Sequence, residues 1–150
     1  MKFATLLSLT SGLLTSALAA PLEARVDAQE FDVSGFTAGC LPHGTQCSIN
    51  FKAATNQQPF QTTCTFTGQP LGASSLPDVG FTACEDASIS FSFRRVTVGD
   101  ATAYYELALV NAEQNLAVSK FFPATEFPLI NAGASVYQSF TGQNIFVVKA

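Results

Sequence analysis

The sequence has no tryptophan, one histidine and one methionine, and only 12% of its 150 residues are charged. A single imidazole excludes metal cages built from several histidines, so no metal site is expected. No cofactor motif occurs, and no cofactor is expected. The N-x-S/T sequon is absent as well, so N-glycosylation is not expected. Basic residues are scarce, with seven Lys and Arg against eleven Asp and Glu for a formal charge of −4. A surface of that sign repels phosphate backbones, which removes nucleic acid from the expected partners. No stretch keeps a helical period, no internal repeat appears, and no Ser-, Gly- or Pro-rich linker divides the chain. The G-x-S-x-G turn of serine hydrolases is missing too.

What is present is apolar. Hydrophobic residues make up 47% of the chain, including fourteen Phe and three Tyr, and the mean hydropathy is +0.26. That balance excludes a disordered polyampholyte. Residues 1–19 read as a secretory signal: Lys2 is the basic start, Phe3 to Leu18 the apolar stretch, and Ala17-Leu18-Ala19 the small-residue cleavage site. The stretch is too short and too rich in Ser and Thr to span a bilayer, and no later run is long enough, so no membrane partner is expected. Residues 20–25 read as a candidate pro-segment ending at Arg25, and residues 26–150 as one β domain. Without Lys2, Glu23 and Arg25 the mature chain carries five basic and ten acidic residues. The expected location is extracellular.

In that oxidising setting Cys40, Cys47, Cys64 and Cys84 are expected to pair. Four cysteines allow three connectivities. The favoured one is Cys40–Cys47 with Cys64–Cys84, because each bridge then closes a local loop of turn residues. On the chain-entropy model such loops contribute about 2.5 and about 3.3 kcal/mol.

The mature chain is a series of short alternating runs. In Cys47-Ser48-Ile49-Asn50-Phe51-Lys52-Ala53 the odd positions are apolar and the even ones polar, the mark of a half-buried strand. Phe60 to Thr67 reads as a second strand, and Ile89, Phe91 and Phe93 mark a third. Tyr105, Leu107 and Leu109 mark a fourth. Weaker strands are expected at Phe31–Phe36, Leu116–Phe121, Val136–Phe140 and Ile145–Lys149, with an extended turn region between Gly68 and Cys84. The third and fourth strands pose a register problem. A two-residue Gly99-Asp100 turn alone would put Phe93 opposite Glu106. A three-residue Val98-Gly99-Asp100 loop, or a bulge near Arg94, restores parity by setting Phe93 opposite Tyr105 and Phe91 opposite Leu107. About eight strands predict an all-β fold, a single antiparallel β-sandwich or small β-barrel stapled by two disulfides.

Candidate chemistry is sparse. His43, the one imidazole, sits in Cys40-Leu41-Pro42-His43-Gly44-Thr45-Gln46-Cys47, a loop closed by its own expected bridge, with no nucleophile marked nearby. It reads as a turn residue before it reads as a base. Glu85 and Asp86 are adjacent, so in a strand they point to opposite faces. Glu106, Glu113 and Glu126 are scattered, and without Trp only Tyr104, Tyr105 and Tyr137 could stack a sugar. No catalytic residue is assigned, and the acids read as solvated sheet-edge charge. Arg94-Arg95 reads as surface charge or strand termination. The phenylalanines read as core, although a Phe-lined barrel could hold a small apolar molecule.

The run Phe31-Asp32-Val33-Ser34-Gly35-Phe36-Thr37-Ala38-Gly39-Cys40 with Leu41-Pro42-His43 and Cys47 resembles the start of fungal hypersensitive-response-inducing proteins. These are small secreted proteins distantly similar to the major allergen of Alternaria. The resemblance continues through Cys64, Leu76-Pro77-Asp78, Cys84 and Asp86, and closes with Val136-Tyr137-Gln138-Ser139-Phe140-Thr141-Gly142 and Phe146. It implies an extracellular β-barrel or sandwich without known catalysis, some of whose relatives provoke plant cell death. The allergen branch is reported to dimerise and to bind small phenolic ligands. This chain lacks an early unpaired cysteine and a cysteine pair after Cys84, so a monomer or non-covalent dimer is expected.

Together these readings predict a secreted, non-catalytic effector or elicitor that binds a host-plant or cell-wall protein. The alternative is a carrier of a small apolar or phenolic ligand, and after that a wall hydrolase using Glu85, Glu106 or His43. The loops that the bridges order are the expected interaction surface, with Pro42, His43 and Gly44 in one and Leu76, Pro77 and Asp78 in the other.

Overall fold

The computed structural model describes residues 29–72 and 74–150. The expected signal sequence and pro-segment lie outside the described residues. The remainder is all-β, a sandwich of two four-stranded antiparallel sheets with a small hairpin at one end. The strands are β1 (Glu30–Cys40), β2 (Cys47–Thr55), β3 (Gln58–Gly68), β4 (Val79–Ala83), β5 (Ile89–Val98), β6 (Ala101–Asn111), β7 (Leu116–Pro123), β8 (Leu129–Ala132), β9 (Ser135–Gln138) and β10 (Ile145–Lys149). The first sheet runs β10-β1-β2-β3, the second β4-β5-β6-β7, and β8 pairs with β9.

Strand β1 shows how composition sets geometry. Its buried residues are Phe31 and Val33, then Phe36, Ala38 and Cys40, so the inward parity changes from odd to even within one strand. The switch is made at Gly35, which has φ +65. Ser34 pairs with Lys52 but Thr37 pairs with Asn50, so Gly35 and Phe36 together oppose Phe51. A bulge of this kind needs a left-handed residue at its first position, which glycine adopts without a Cβ clash. The bulge delivers Phe36 to the middle of the core. Its ring lies 5.9 Å from Phe51, 6.5 Å from Phe93, 5.3 Å from Phe122, 4.9 Å from Phe140 and 5.7 Å from Phe146. The core is one contiguous cluster spanning both sheets, and its own rings occupy the Phe-rich interior.

The register of β5 and β6 differs from the expected one. The turn is the two-residue Gly99-Asp100, with Val98 opposite Ala101 and Thr97 opposite Thr102. Tyr104 then pairs with Val96, so Ala103 is an extra residue on β6. Parity is therefore restored by a bulge on β6, close to the turn, and not by a longer loop or by a bulge near Arg94. Phe93 faces Leu107, Phe91 faces Leu109 and Arg94 faces Glu106. The bulge carries Tyr105 inward beside Phe93, with rings stacked at 5.4 Å.

Two further strands correct the expected count. Strand β4 lies inside the segment expected to be turn, and β8 was not foreseen. In β4 only Val79 of five residues is buried, because a register shift between Val79 and Thr82 leaves two residues opposite Ser92. Such a segment carries no alternation to read. Strand β5 runs on past Arg94 and Arg95 to Val98, so the basic pair does not end it.

The two seams between the sheets are closed differently. On one side the Cys64–Cys84 disulfide ties β3 to the end of β4. Beside it the Glu85 amide donates to the Thr63 carbonyl at 2.9 Å, and the Asp86 amide to Thr62 Oγ1 at 2.8 Å. Asp86 itself accepts from the Ser88 amide and hydroxyl, which hold its carboxyl below the usual range. On the other side β10 meets β7 without a covalent link. There the Phe122 and Phe146 rings pack at 5.3 Å, and the Lys120 ammonium sits 5.3 and 5.0 Å from their centres. Lys120 is an inward-pointing charge on an edge strand, a device that discourages pairing with another sheet.

Candidate interaction site

The second disulfide joins Cys40 to Cys47, register partners at the mouth of the β1–β2 hairpin. Both pairings follow the favoured connectivity. Above this bridge the Leu41 amide donates to the Gln46 carbonyl at 2.8 Å, and the Gly44 amide to the Leu41 carbonyl at 3.1 Å. A type II turn favours proline at the second position and requires a positive φ at the third. The third position is His43, with φ +73. A non-glycine residue there carries steric strain of about 1–2 kcal/mol. The bridge and the two turn hydrogen bonds hold it in place. His43 and Pro42 are exposed, Gly44 is half-buried, and Leu41 is 52% exposed.

The long turn approaches from the side. The Leu71 and Ser75 backbones bond each other at 2.8 and 3.3 Å, and the Ser75 carbonyl lies 3.8 Å from Cys47 Sγ. Gln138 fixes the turn from below. Its Oε1 accepts from the Leu76 amide at 2.9 Å, and its Nε2 donates to Tyr105 Oη at 2.6 Å and to the Phe127 carbonyl at 2.9 Å. Burial pushes the Tyr105 phenol above its ordinary pKa of 10.0, against the opposing pull of the Gln138 bond and the Arg95 charge. One residue further on, Ser139 bridges Gly39, and the Phe140 amide donates to the Ala38 carbonyl. The strand end at Gln138–Phe140 therefore links the long turn to the flank of the Cys40–Cys47 loop.

The six residues expected to form the interaction surface divide accordingly. Pro42, His43 and Gly44 form the presented turn. Leu76 is fully buried and belongs to the core, because its amide is the group that Gln138 captures. Pro77 is half-buried. Asp78 is exposed but engaged: its Oδ1 accepts from the Arg95 amide at 2.8 Å and lies 3.9 Å from Arg95 Nε. A groove of about 310 Å³ lies beside the presented turn, between Leu41, Gln46 and Phe140.

The acids do not converge. Glu85 follows β4 at the disulfide seam, Glu113 lies in the β6–β7 turn, and Glu126 sits over Gly142. Glu106 stands alone on the outer face of the second sheet, 7% exposed and ion-paired with Arg94. Tyr105 is 2% exposed and cannot stack a ligand, while Tyr104 packs edge-on against Phe121. Among the described residues no three His, Cys, Asp or Glu side chains converge on a metal-sized site. No helix among them is long and apolar enough to cross a membrane.

The chain matches no family model, no curated protein and no solved structure.

Sequence reasoning missed the Arg94–Glu106 pair and the role of Gln138. The first follows from the register: a residue sum two lower sets Arg94 opposite Tyr104 instead of Glu106. The second left no signal, since nothing in the expected Val136–Phe140 strand marks its glutamine as a buried amide.

Proposed function

We propose that this is a secreted, non-catalytic interaction protein of the effector or elicitor type, acting on a plant host through the Cys40–Cys47 turn. The observation that carries the reading is His43: an exposed residue held at positive φ in a turn closed by a buried bridge. Strain of this kind persists only where surrounding structure imposes it, and it is concentrated at binding and recognition sites. A turn ordered in advance also loses little entropy on binding. The two disulfides fit an oxidising compartment. The carrier reading is less well supported, because the rings around Phe36 fill the interior that a ligand would need.

Electrolyte leakage from infiltrated leaves tests the proposal, comparing the native protein, a reduced and alkylated sample, and His43→Ala. Leakage from the native protein, lost in the other two, supports recognition of the folded turn. Equal leakage from all three assigns the activity to a linear stretch and removes the turn from the account. No leakage in several plant species overturns the elicitor reading.

A further inference from the structure

The outer face of the second sheet carries a trench that runs across its strands. Ser92, Ala108 and Ser119 lie side by side in one row of the register and form the floor. The next row on one side is Ser90, Val110 and Ala117, and on the other Arg94, Glu106 and Phe121. These small side chains, with Phe81, Arg94, Glu106 and Val110 standing around them, leave a depression of about 400 Å³. Phe81, 63% exposed, borders it at the β4 end, where the irregular pairing of β4 brings it beside Ser92. From β4 to β7 the trench crosses four strands, roughly 14 Å at about 4.8 Å per spacing.

The lining limits what fits. Arg94 and Glu106 sum to zero charge, so neither an anion nor a cation gains a net partner there. A purely apolar ligand would strip water from the guanidinium, the carboxylate and the two serine hydroxyls without replacing their hydrogen bonds. A peptide adding a strand needs a free sheet edge, whereas this trench lies across the strands. A ligand dense in hydroxyl groups meets all the conditions. Each hydroxyl both donates and accepts, so adjacent ones can give to Glu106 and take from Arg94, whose Nε occupies only one of the carboxylate's acceptor sites. The Phe81 ring offers an apolar surface for the C–H face of a sugar ring.

The geometry points to a binding site for a neutral oligosaccharide in the Ser92–Ala108–Ser119 trench, independent of the Cys40–Cys47 turn. Glu106 is the only carboxylate in the lining, so the site is built to bind a glycan and lacks the carboxylate pair by which most glycoside hydrolases cleave one.

Amide spectra of the 15N-labelled protein, titrated with cellohexaose, laminarihexaose and chitohexaose, test this directly. At least one of the three should shift Ser92, Ala108 and Ser119 while leaving the Leu41–Gln46 turn in place. A response to the glucose polymers marks an unsubstituted glucan, and one to chitohexaose alone marks an acetylated one. Phe81→Ala should weaken binding about fivefold. Ser119→Leu, at an exposed floor position, should abolish it. Glu106→Gln should cost about tenfold, and the same spectra report whether each variant is folded. His43→Ala should bind like wild type, so failure of the elicitor reading leaves this site untouched. The inference is overturned if millimolar glycan moves none of these amides, or if Phe81→Ala and Ser119→Leu both bind unchanged. A doubled mass with the same shifts in the absence of glycan would assign the face to a second copy and also overturn it.

Discussion

The two sheets present alike faces to each other and unlike faces to solvent. Inward, both supply phenylalanines: Phe36 and Phe51 from the first sheet, Phe91, Phe93 and Phe122 from the second. Outward, the middle of the first sheet is a polar grid in which Thr37, Asn50 and Thr65 make one row and Ser34, Lys52 and Thr63 the next, and its exposed apolar residues, Ile145, Val147 and Phe60, lie on the edge strands β10 and β3. The second sheet instead shows Phe81 and Phe121, 63% and 56% exposed, around a floor of small residues. Threonine is what a strand with one wet face ordinarily carries, because it is β-branched and polar. Exposed phenylalanine beside alanine and serine has no such justification. The inner faces answer to folding, and the difference between the outer ones marks where something else is asked of the surface.

Truncation should separate the faces cleanly. Phe36→Ala should lower unfolding free energy by about 3–5 kcal/mol in urea titration, while Phe121→Ala, losing mainly its Tyr104 contact, should cost about 1 kcal/mol. Similar losses would break the comparison. Replacing Cys64 and Cys84 by alanine should cost about 3 kcal/mol. Because that bridge joins the sheets, hydrogen exchange should quicken in both.

The buried amide network between the faces comes next. Gln138→Leu strands the Leu76 amide and the Phe127 carbonyl, and should cost about 2 kcal/mol in the same titration. Tyr105 in that network supplies a pH signature. Its phenol is raised in the folded state, so its contribution to stability is fully present below about pH 10 and is lost as pH climbs through the raised value. Melting temperature should therefore fall more steeply above pH 10 for wild type than for Tyr105→Phe. The smallest effects belong to the surface. His43→Gly should gain roughly 0.5–1 kcal/mol by relieving the positive φ, and His43→Val should lose a similar amount. Thr65→Ala on the polar grid should stay within about 0.5 kcal/mol of wild type.

Much of this architecture is written in residue type. The alternation at Cys47–Ala53 and at Ile89–Phe93 gives strands and faces directly, and local spacing gives both bridges. The parity switch at Gly35 forms no part of the expected Phe31–Phe36 strand, although its residues carry it: Phe31 and Val33 are odd, Phe36 and Ala38 even, and glycine stands between them. What stayed hidden depends on where a bulge falls. The conflict between Gly99-Asp100 and the apolar pattern demanded one extra residue, but not on which strand. Placing it on β6 moves every cross-strand partner by two positions and creates the Arg94–Glu106 pair. Strand β4 was unreadable for a related reason, since one buried residue in five leaves no period. Leu76, between Ser and Pro, looks like loop surface in the sequence, and its burial depends on a glutamine 62 residues away.

The seams give the molecule the mechanics of a book. Cys64–Cys84 is a sewn spine, and β10 against β7 is the fore-edge, held by two rings and a lysine. Partial opening therefore has one direction, and the page that turns first is the last strand, paired with β1 over five residues. Water, proteases and a neighbouring molecule offering its own final strand all meet the protein at that edge, so its resistance to wear is decided by Phe122, Phe146 and Lys120 more than by the covalent bridges.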